Sequence, residues 1–361
     1  MNVRSWLVTL ITSLVALACS AGQVGLNSTA AGTGQARDPE IWVTLQATDR
    51  IAILHGPIGR GDRETIEVAA GTGPHIATFS PDGEFAYVSG MGNGDLDVIS
   101  TKTRHVVNVL HLGKVGTHQA KPAPDGTLLL VAQVATKSLI KVTADEANGS
   151  WQPGQVLSFA ALGKAPICTV FSNDGRSAFV SLNPSGLAVV DVASMAIRSV
   201  LTTDGFIACG MVRARDGSSI TLAASGGGGH LYRLNIETVA LTDLGTLGAV
   251  DWHSFNMVPN GSLGFGTVPR GDELRIIDLT GAQVTSSTLA LNPSGGPARD
   301  QPDNMGVSGD HVYVSLRLSG KLAVVNFRTR SVAYLDLAAP AAAINPANCL
   351  GCALHGVAIR G

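Results

Sequence analysis

The sequence predicts an all-β fold, a seven-bladed β-propeller whose last blade is closed by strands from both termini. Three observations carry that reading. A short phrase returns seven times, the chain is rich in turn formers with 43 glycines among 361 residues, and the seventh phrase stops after a single strand. The clearest copy is Pro74-His75-Ile76-Ala77-Thr78-Phe79-Ser80-Pro81-Asp82-Gly83, followed by the strand-like run Phe85-Ala86-Tyr87-Val88-Ser89. Its Asp-Gly turn recurs at Asp125-Gly126, Asp174-Gly175 and Asp216-Gly217, with Asn260-Gly261 as a variant. A weaker copy begins at Pro302, and the last is Leu354-His355-Gly356-Val357-Ala358-Ile359. The His75 slot falls at 75, 118, 167, 209, 253, 303 and 355, spaced by 42 to 52 residues. Short strands and Gly-rich turns at that period indicate propeller blades.

Each unit parses as four strands. In the first, His75 to Ser80, Phe85 to Ser89, Leu96 to Ser100 and Val106 to Leu110 alternate with turn residues, the hairpin signal. The third strand repeats most clearly, as Leu96-Asp97-Val98-Ile99, Leu187-Ala188-Val189-Val190 and Leu322-Ala323-Val324-Val325. The seventh unit holds only its first strand, from His355 onward. Its missing three are expected at Ile41-Trp42-Val43-Thr44, Arg50 to Leu54 and Thr65 to Val68. Closure from both ends removes the exposed strand edges that invite aggregation.

Residues 1–18 read as a signal peptide, with Arg4 before an apolar run from Trp6 to Ala18 that is too short to span a membrane. Ala16-Leu17-Ala18-Cys19 fits ordinary cleavage and also an imperfect lipobox, which would make Cys19 a lipidation site. Residues 19–38 read as a flexible tether and 39–361 as the propeller. The expected location is extracytoplasmic, as a periplasmic or cell-envelope lipoprotein held to the membrane by its lipid anchor only. A monomer is expected. Net charge of −2, without a Lys/Arg block, argues against nucleic acid as a partner.

The phrase at Pro74 to Gly83, with Tyr87-Val88-Ser89, resembles the YVTN family of β-propeller repeats. That group is similar in fold to the d1-haem domain of cytochrome cd1 nitrite reductase and to the propeller of nitrous oxide reductase. The resemblance implies architecture far more than activity, because propellers host binding proteins, lactonases, redox enzymes and scaffolds.

First strands line a propeller's channel, so the His75 slot becomes a ring: His75, His118, Ile167, Cys209, His253, Asp303 and His355. Four of nine histidines in one repeat position form the candidate metal set, with Cys209 and Asp303 as further ligands. Imidazole, thiolate and carboxylate suit Cu, Zn or Fe. The nitrous oxide reductase resemblance implies a histidine ring around copper, but Ile167, Cys209 and Asp303 break the ring here. Two residues on, Ala77, Ala120, Thr169, Met211, Phe255, Met305 and Val357 are expected to plug the bore on one side. Structural histidines that hydrogen-bond the loops are the bland alternative.

Cys349-Leu350-Gly351-Cys352 is followed by Ala353 where a c-type haem motif needs His, so no covalent haem is expected. A Cys349–Cys352 disulfide is the main reading, with metal ligation beside His355 open. A Cys168–Cys209 bridge between blades is a further option, although Cys168 is expected to point away from the channel. The function expected is a binding protein whose channel mouth takes a metal, redox cofactor, small molecule or partner protein. The long approaches from Leu291 to Gln301 and Ala338 to Ala353 would act as lids. The alternatives are a lactonase-like hydrolase or periplasmic redox enzyme, with His253 and Asp251 or Asp303 as acid/base candidates, and a scaffold without a channel site.

Overall fold

The computed structural model describes residues 39–57, 63–69, 71–207, 209–248, 251–281, 283–295, 299–341 and 352–361. The signal peptide, Cys19, the tether to residue 38 and Cys349 lie outside the described residues. Twenty-eight strands, β1 to β28 in chain order, form seven four-stranded antiparallel sheets, and the helical elements among the described residues are four 3-10 turns.

Blade 1 runs from β4 (Pro74–Phe79) to β7 (His105–His111), blade 2 from β8 (Thr117–Pro122) to β11 (Ser150–Ser158), and blade 3 from β12 (Ala165–Phe171) to β15 (Ala196–Leu201). Blade 4 runs from β16 (Met211–Arg213) to β19 (Leu241–Thr246), blade 5 from β20 (Phe255–Met257) to β23 (Thr285–Ala290), and blade 6 from β24 (Pro302–Ser308) to β27 (Ser331–Asp336). The closing blade orders β28 (Val357–Arg360) beside β1 (Glu40–Leu45), β2 (Arg50–His55) and β3 (Glu64–Glu67). The inner strands of successive blades pack against one another around the full circle, ending with β28 against β4.

The blade turns follow from their sequence. In the Asp82-Gly83 turn the Asp carboxylate accepts from Glu84 N at 2.9 Å and Ser80 Oγ at 2.6 Å, and Gly83 takes φ +75°, which a side chain disfavours. Outer strands alternate exposed and covered residues, as in β7, whereas the second and third strands of a blade are buried on both faces. Those faces meet the next blade. Seven apolar clusters result, one at each blade interface, such as Tyr87, Val98, Leu129 and Trp151 between blades 1 and 2. Each fully buried side chain of this size contributes about 1.5–3 kcal/mol.

The two ends of the folded chain pair as expected. Glu40, Ile41, Trp42 and Val43 lie opposite Arg360, Ile359, Ala358 and Val357. Arg360 reaches Glu40 at 3.2 Å and donates to Gly83 O at 2.9 Å, tying the closing blade to blade 1. Gly356 must be glycine-like in size, since a Cβ there would stand 2.5 Å from the carbonyl oxygen of His75.

Candidate functional site

A β-bulge near the start of the inner strand positions the ring residues. In blade 1 the register jumps between Pro74 and Ala77, so His75 and Ile76 share one partner, Ser89. Blades 2, 3 and 6 shift at the same place. The bulge leaves an inward N–H without a ladder partner, and the opposite hydroxyl accepts it. Ile76 N donates to Ser89 Oγ at 3.1 Å, Cys168 N to Ser181 Oγ at 3.1 Å, Ser254 N to Thr267 Oγ at 3.0 Å, Asn304 N to Ser315 Oγ at 3.1 Å, and Gly356 N to Thr44 Oγ at 2.7 Å.

Four of these hydroxyls then donate onward to the ring residue of the next blade. Thr44 reaches His75 O at 2.9 Å, Ser89 reaches His118 O at 2.7 Å, Thr267 reaches Asp303 O at 2.6 Å, and Ser315 reaches His355 O at 2.5 Å. One hydroxyl thus fixes its own bulge and its neighbour's ring backbone. Ala132 and Ala223 occupy this position in blades 2 and 4, where the clip is missing.

The ring residues form a circle, side chain to side chain except between Cys209 and His253, which meet through the backbone. His75 lies against His118 with ring centroids 4.6 Å apart, and His118 Nδ1 is 3.9 Å from Cys168 Sγ. Cys168 and Cys209 are joined by a disulfide, and Cys209 N donates to His253 O at 3.2 Å. His253 Nε2 contacts Asp303 Oδ1, whose other oxygen lies 3.5 Å from His355 Nε2 and 3.6 Å from Arg317 Nη1. His355 stacks on His75 at 3.5 Å and completes the circle. Candidate ligand atoms of His253, Asp303 and His355 all lie within 4.8 Å of one another, as do those of His118, Cys168 and Cys209.

Burial sets the electrostatics. Burial alone would raise the Asp303 carboxyl, but His253, His355 and Arg317 outweigh it and hold the group below the usual carboxylate range. It is an anion on the channel wall at neutral pH. Burial lowers His75 well below the ordinary imidazole value, with His355, His118 and His253 adding to the effect. The same cause lowers His118 to about 3. Burial takes His355 to about 4 against the pull of Asp303. His355 Nδ1–H donates to His75 O at 3.1 Å, which leaves its Nε2 lone pair facing the Asp303 carboxylate. His75 is 2% exposed, and neither ring nitrogen has a hydrogen-bond partner among the described residues.

The structure thus gathers His75, His118, His253, Asp303 and His355 into the ring. Three sequence expectations change. Blade 3 contributes Cys168 where Ile167 was expected: both pack in the apolar cluster between blades 3 and 4, and the Cys168 sulfur lies 3.9 Å from His118 Nδ1 and is bonded to Cys209. Cys209 is therefore half of a disulfide, and it leaves the thiolate donor set while that bond stands. The bore is also not plugged. Met211, Phe255 and Met305 pack against the blade interfaces and wall a channel cavity of about 620 Å³ without filling it.

Asp251 does not pair with His253. Its carboxylate accepts from Arg270 N at 2.9 Å. Asp300 is buried and holds Ser294, while Asp272 caps the backbone N–H groups of Arg299 and Gln301, so this approach is braced from within. Cys352 is disulfide-bonded, and Cys349, its expected partner, lies outside the described residues. Sequence reasoning missed Arg317 and the hydroxyl clips. The serine ending Tyr87-Val88-Ser89 and its counterpart in Val314-Ser315 was the available signal for the clips.

No protein-family model matches the sequence, and no curated protein matches it. Solved structures do. A 6-phosphogluconolactonase-like propeller from Bacteroides fragilis matches with TM-score 0.70 and 11% identity over 91% of this chain and 99% of that one. Hydrazine synthase of Kuenenia stuttgartiensis matches with TM-score 0.61 and 17% identity over 72% and 78%. A chain of the mitotic checkpoint complex matches with TM-score 0.61 and 14% identity over 74% and 81%. At these identities the likeness is one of fold, and the chain is a seven-bladed β-propeller.

Proposed function

We propose that this chain is an exported β-propeller binding protein whose channel collar takes one transition-metal ion, Cu, Zn or Fe, on His253, Asp303 and His355. The observation that carries the reading is the pairing of two acceptors. His355 is fixed as the Nδ1–H tautomer by His75 O, so its Nε2 lone pair faces the Asp303 carboxylate at 3.5 Å. A cation between them turns that repulsion into attraction. The carbonyl partner on the far ring nitrogen is the usual arrangement behind a metal-bound histidine. Two histidines and one carboxylate suit a divalent first-row metal.

His75 stacks over this set with both nitrogens buried and unmatched, a cost of about 1–3 kcal/mol that a neighbouring ion and its water would relieve. Export is supported by the signal-like start and by disulfides at Cys168, Cys209 and Cys352. The repeat phrase supports placing the chain in the YVTN group. Metal analysis of tag-free protein, produced in an oxidising compartment, tests the proposal. Near-stoichiometric metal that is lost in both His253→Ala and His355→Ala is expected. A wild-type protein that stays metal-free after exposure to Cu, Zn and Fe overturns it, and lactone turnover dependent on His253 in that metal-free protein would favour the hydrolase.

A further inference from the structure

From the channel floor we infer a second site, an anion pocket at the end opposite the collar that takes a small organic acid by its carboxylate or phosphate group. The cavity of about 620 Å³ is lined by the inner strands of blades 1 to 6 and by Val357 of the closing blade. That size suits a small metabolite. Lys121 and Arg213 both line it, and among the described residues no Asp or Glu does. Lys121 lies three residues past His118 on β8, about 10 Å further along an extended strand. Pro81 and Pro124, from exposed Asp-Gly turns, stand at the rim, so the pocket opens on the turn face.

The two cations are poorly matched by protein. Arg213 spends one Nη1–H on Phe171 O at 2.9 Å, and the rest of its donor fork has no partner among the described residues. Lys121 has neither a hydrogen bond nor an ion pair among the described residues. Burial lowers its ammonium pKa, and Arg213 lowers it further. Two like charges facing one cavity repel unless an anion sits between them. Arg with Lys is a common pairing for planar carboxylate or phosphate groups. Phe255, Met211 and Met305 supply apolar wall for the rest of the molecule. The chain as a whole is slightly acidic, so this positive end is local, and it does not follow from bulk charge.

Calorimetric titration of the full exported protein at fixed ionic strength tests the site with three probes: benzoate, inorganic phosphate and the uncharged benzamide. Saturable one-to-one binding of benzoate is expected, with benzamide at least about tenfold weaker. Lys121→Met and Arg213→Gln should each weaken benzoate by about tenfold or more while metal content stays at the wild-type value. Phosphate binding without benzoate binding, if lost in Lys121→Met, assigns the pocket to phosphate esters and upholds the anion site. Should Arg213→Gln fail to fold, Lys121→Met carries the comparison alone, its fold checked by circular dichroism. No saturable anion binding, equal affinity for benzamide, or unchanged affinity in Lys121→Met each overturns the inference.

Discussion

On one arc of the collar, Cys168 and Cys209 join blades 3 and 4 through a covalent bond, with His118 against the sulfur. On the opposite arc, the Asp303 carboxylate of blade 6 faces His253 of blade 5, His355 of the closing blade and Arg317 with no covalent link among them. Both arcs close a gap between blades, but their physics differs. A disulfide acts chiefly on the unfolded chain and asks nothing of its surroundings. A buried carboxylate has lost its water and depends on every partner that faces it. The covalent arc is therefore suited to holding the ring shut, and the charged arc to responding to ions and protons.

The largest effect is expected on the charged arc. Asp303→Ala removes the carboxylate that His253 and Arg317 contact, which should cost about 3–5 kcal/mol in urea unfolding and abolish metal retention. Asp303→Asn keeps the shape and should lose the metal with a smaller stability loss. If both variants hold metal at wild-type stoichiometry, the arcs are not functionally distinct. The covalent arc comes next. Cys168→Ser with Cys209→Ser removes a link across 41 residues and should cost about 2–4 kcal/mol, measured in the same way, with metal content unchanged.

Much of this contrast was legible in the sequence. The repeat phrase gave the blades, the truncated seventh copy gave the closure, and the histidine column gave four members of the collar. The bulge was not legible, because its register shift depends on the facing strand and on a hydroxyl some eleven to thirteen residues away, as for Ser89 and Ile76 or Ser315 and Asn304. At that bulge in blade 3 it is Cys168, one residue past the expected Ile167, whose side chain bonds across to Cys209. Arg317 was invisible for a related reason, since it sits one residue beyond its strand and reaches back over blade 6 to Asp303.

Protons should separate the arcs more gently. His75, His118 and His355 are all held neutral in the fold, His118 down to about 3 and His355 to about 4. Their ordinary value in the unfolded chain is about 6.5, so the unfolded state binds protons first as pH falls. Stability from these groups is full above pH 6.5 and is lost on acidification toward pH 4, by about 1.4 kcal/mol per unit for each histidine. Asp97, raised by burial and by Asp95 to about 6, has the opposite sign: its contribution is lost as pH rises toward 6, and it offsets one histidine in that window. Urea midpoints at pH 7.5, 6 and 5 measure the slope. His75→Gln should flatten it, and an unchanged slope would mean that His75 is not the neutral, buried group described.

The finest test uses the hydroxyl clips, which are chemically alike on the two arcs. Ser315 accepts from Asn304 N and donates to His355 O, whereas Ser89 accepts from Ile76 N and donates to His118 O. Each Ser→Ala change strands one buried donor and one carbonyl, for a similar loss of about 1–3 kcal/mol. The metal should tell them apart. Ser315→Ala frees the backbone that aims His355 at Asp303 and should weaken metal affinity by about tenfold, while Ser89→Ala, which frees only His118, should leave it within about twofold. Equal weakening by both would make the collar a single rigid ring in which position along the circle carries no meaning. Weakening by Ser89→Ala alone would move the ion to the His118 side and reverse the assignment of the arcs.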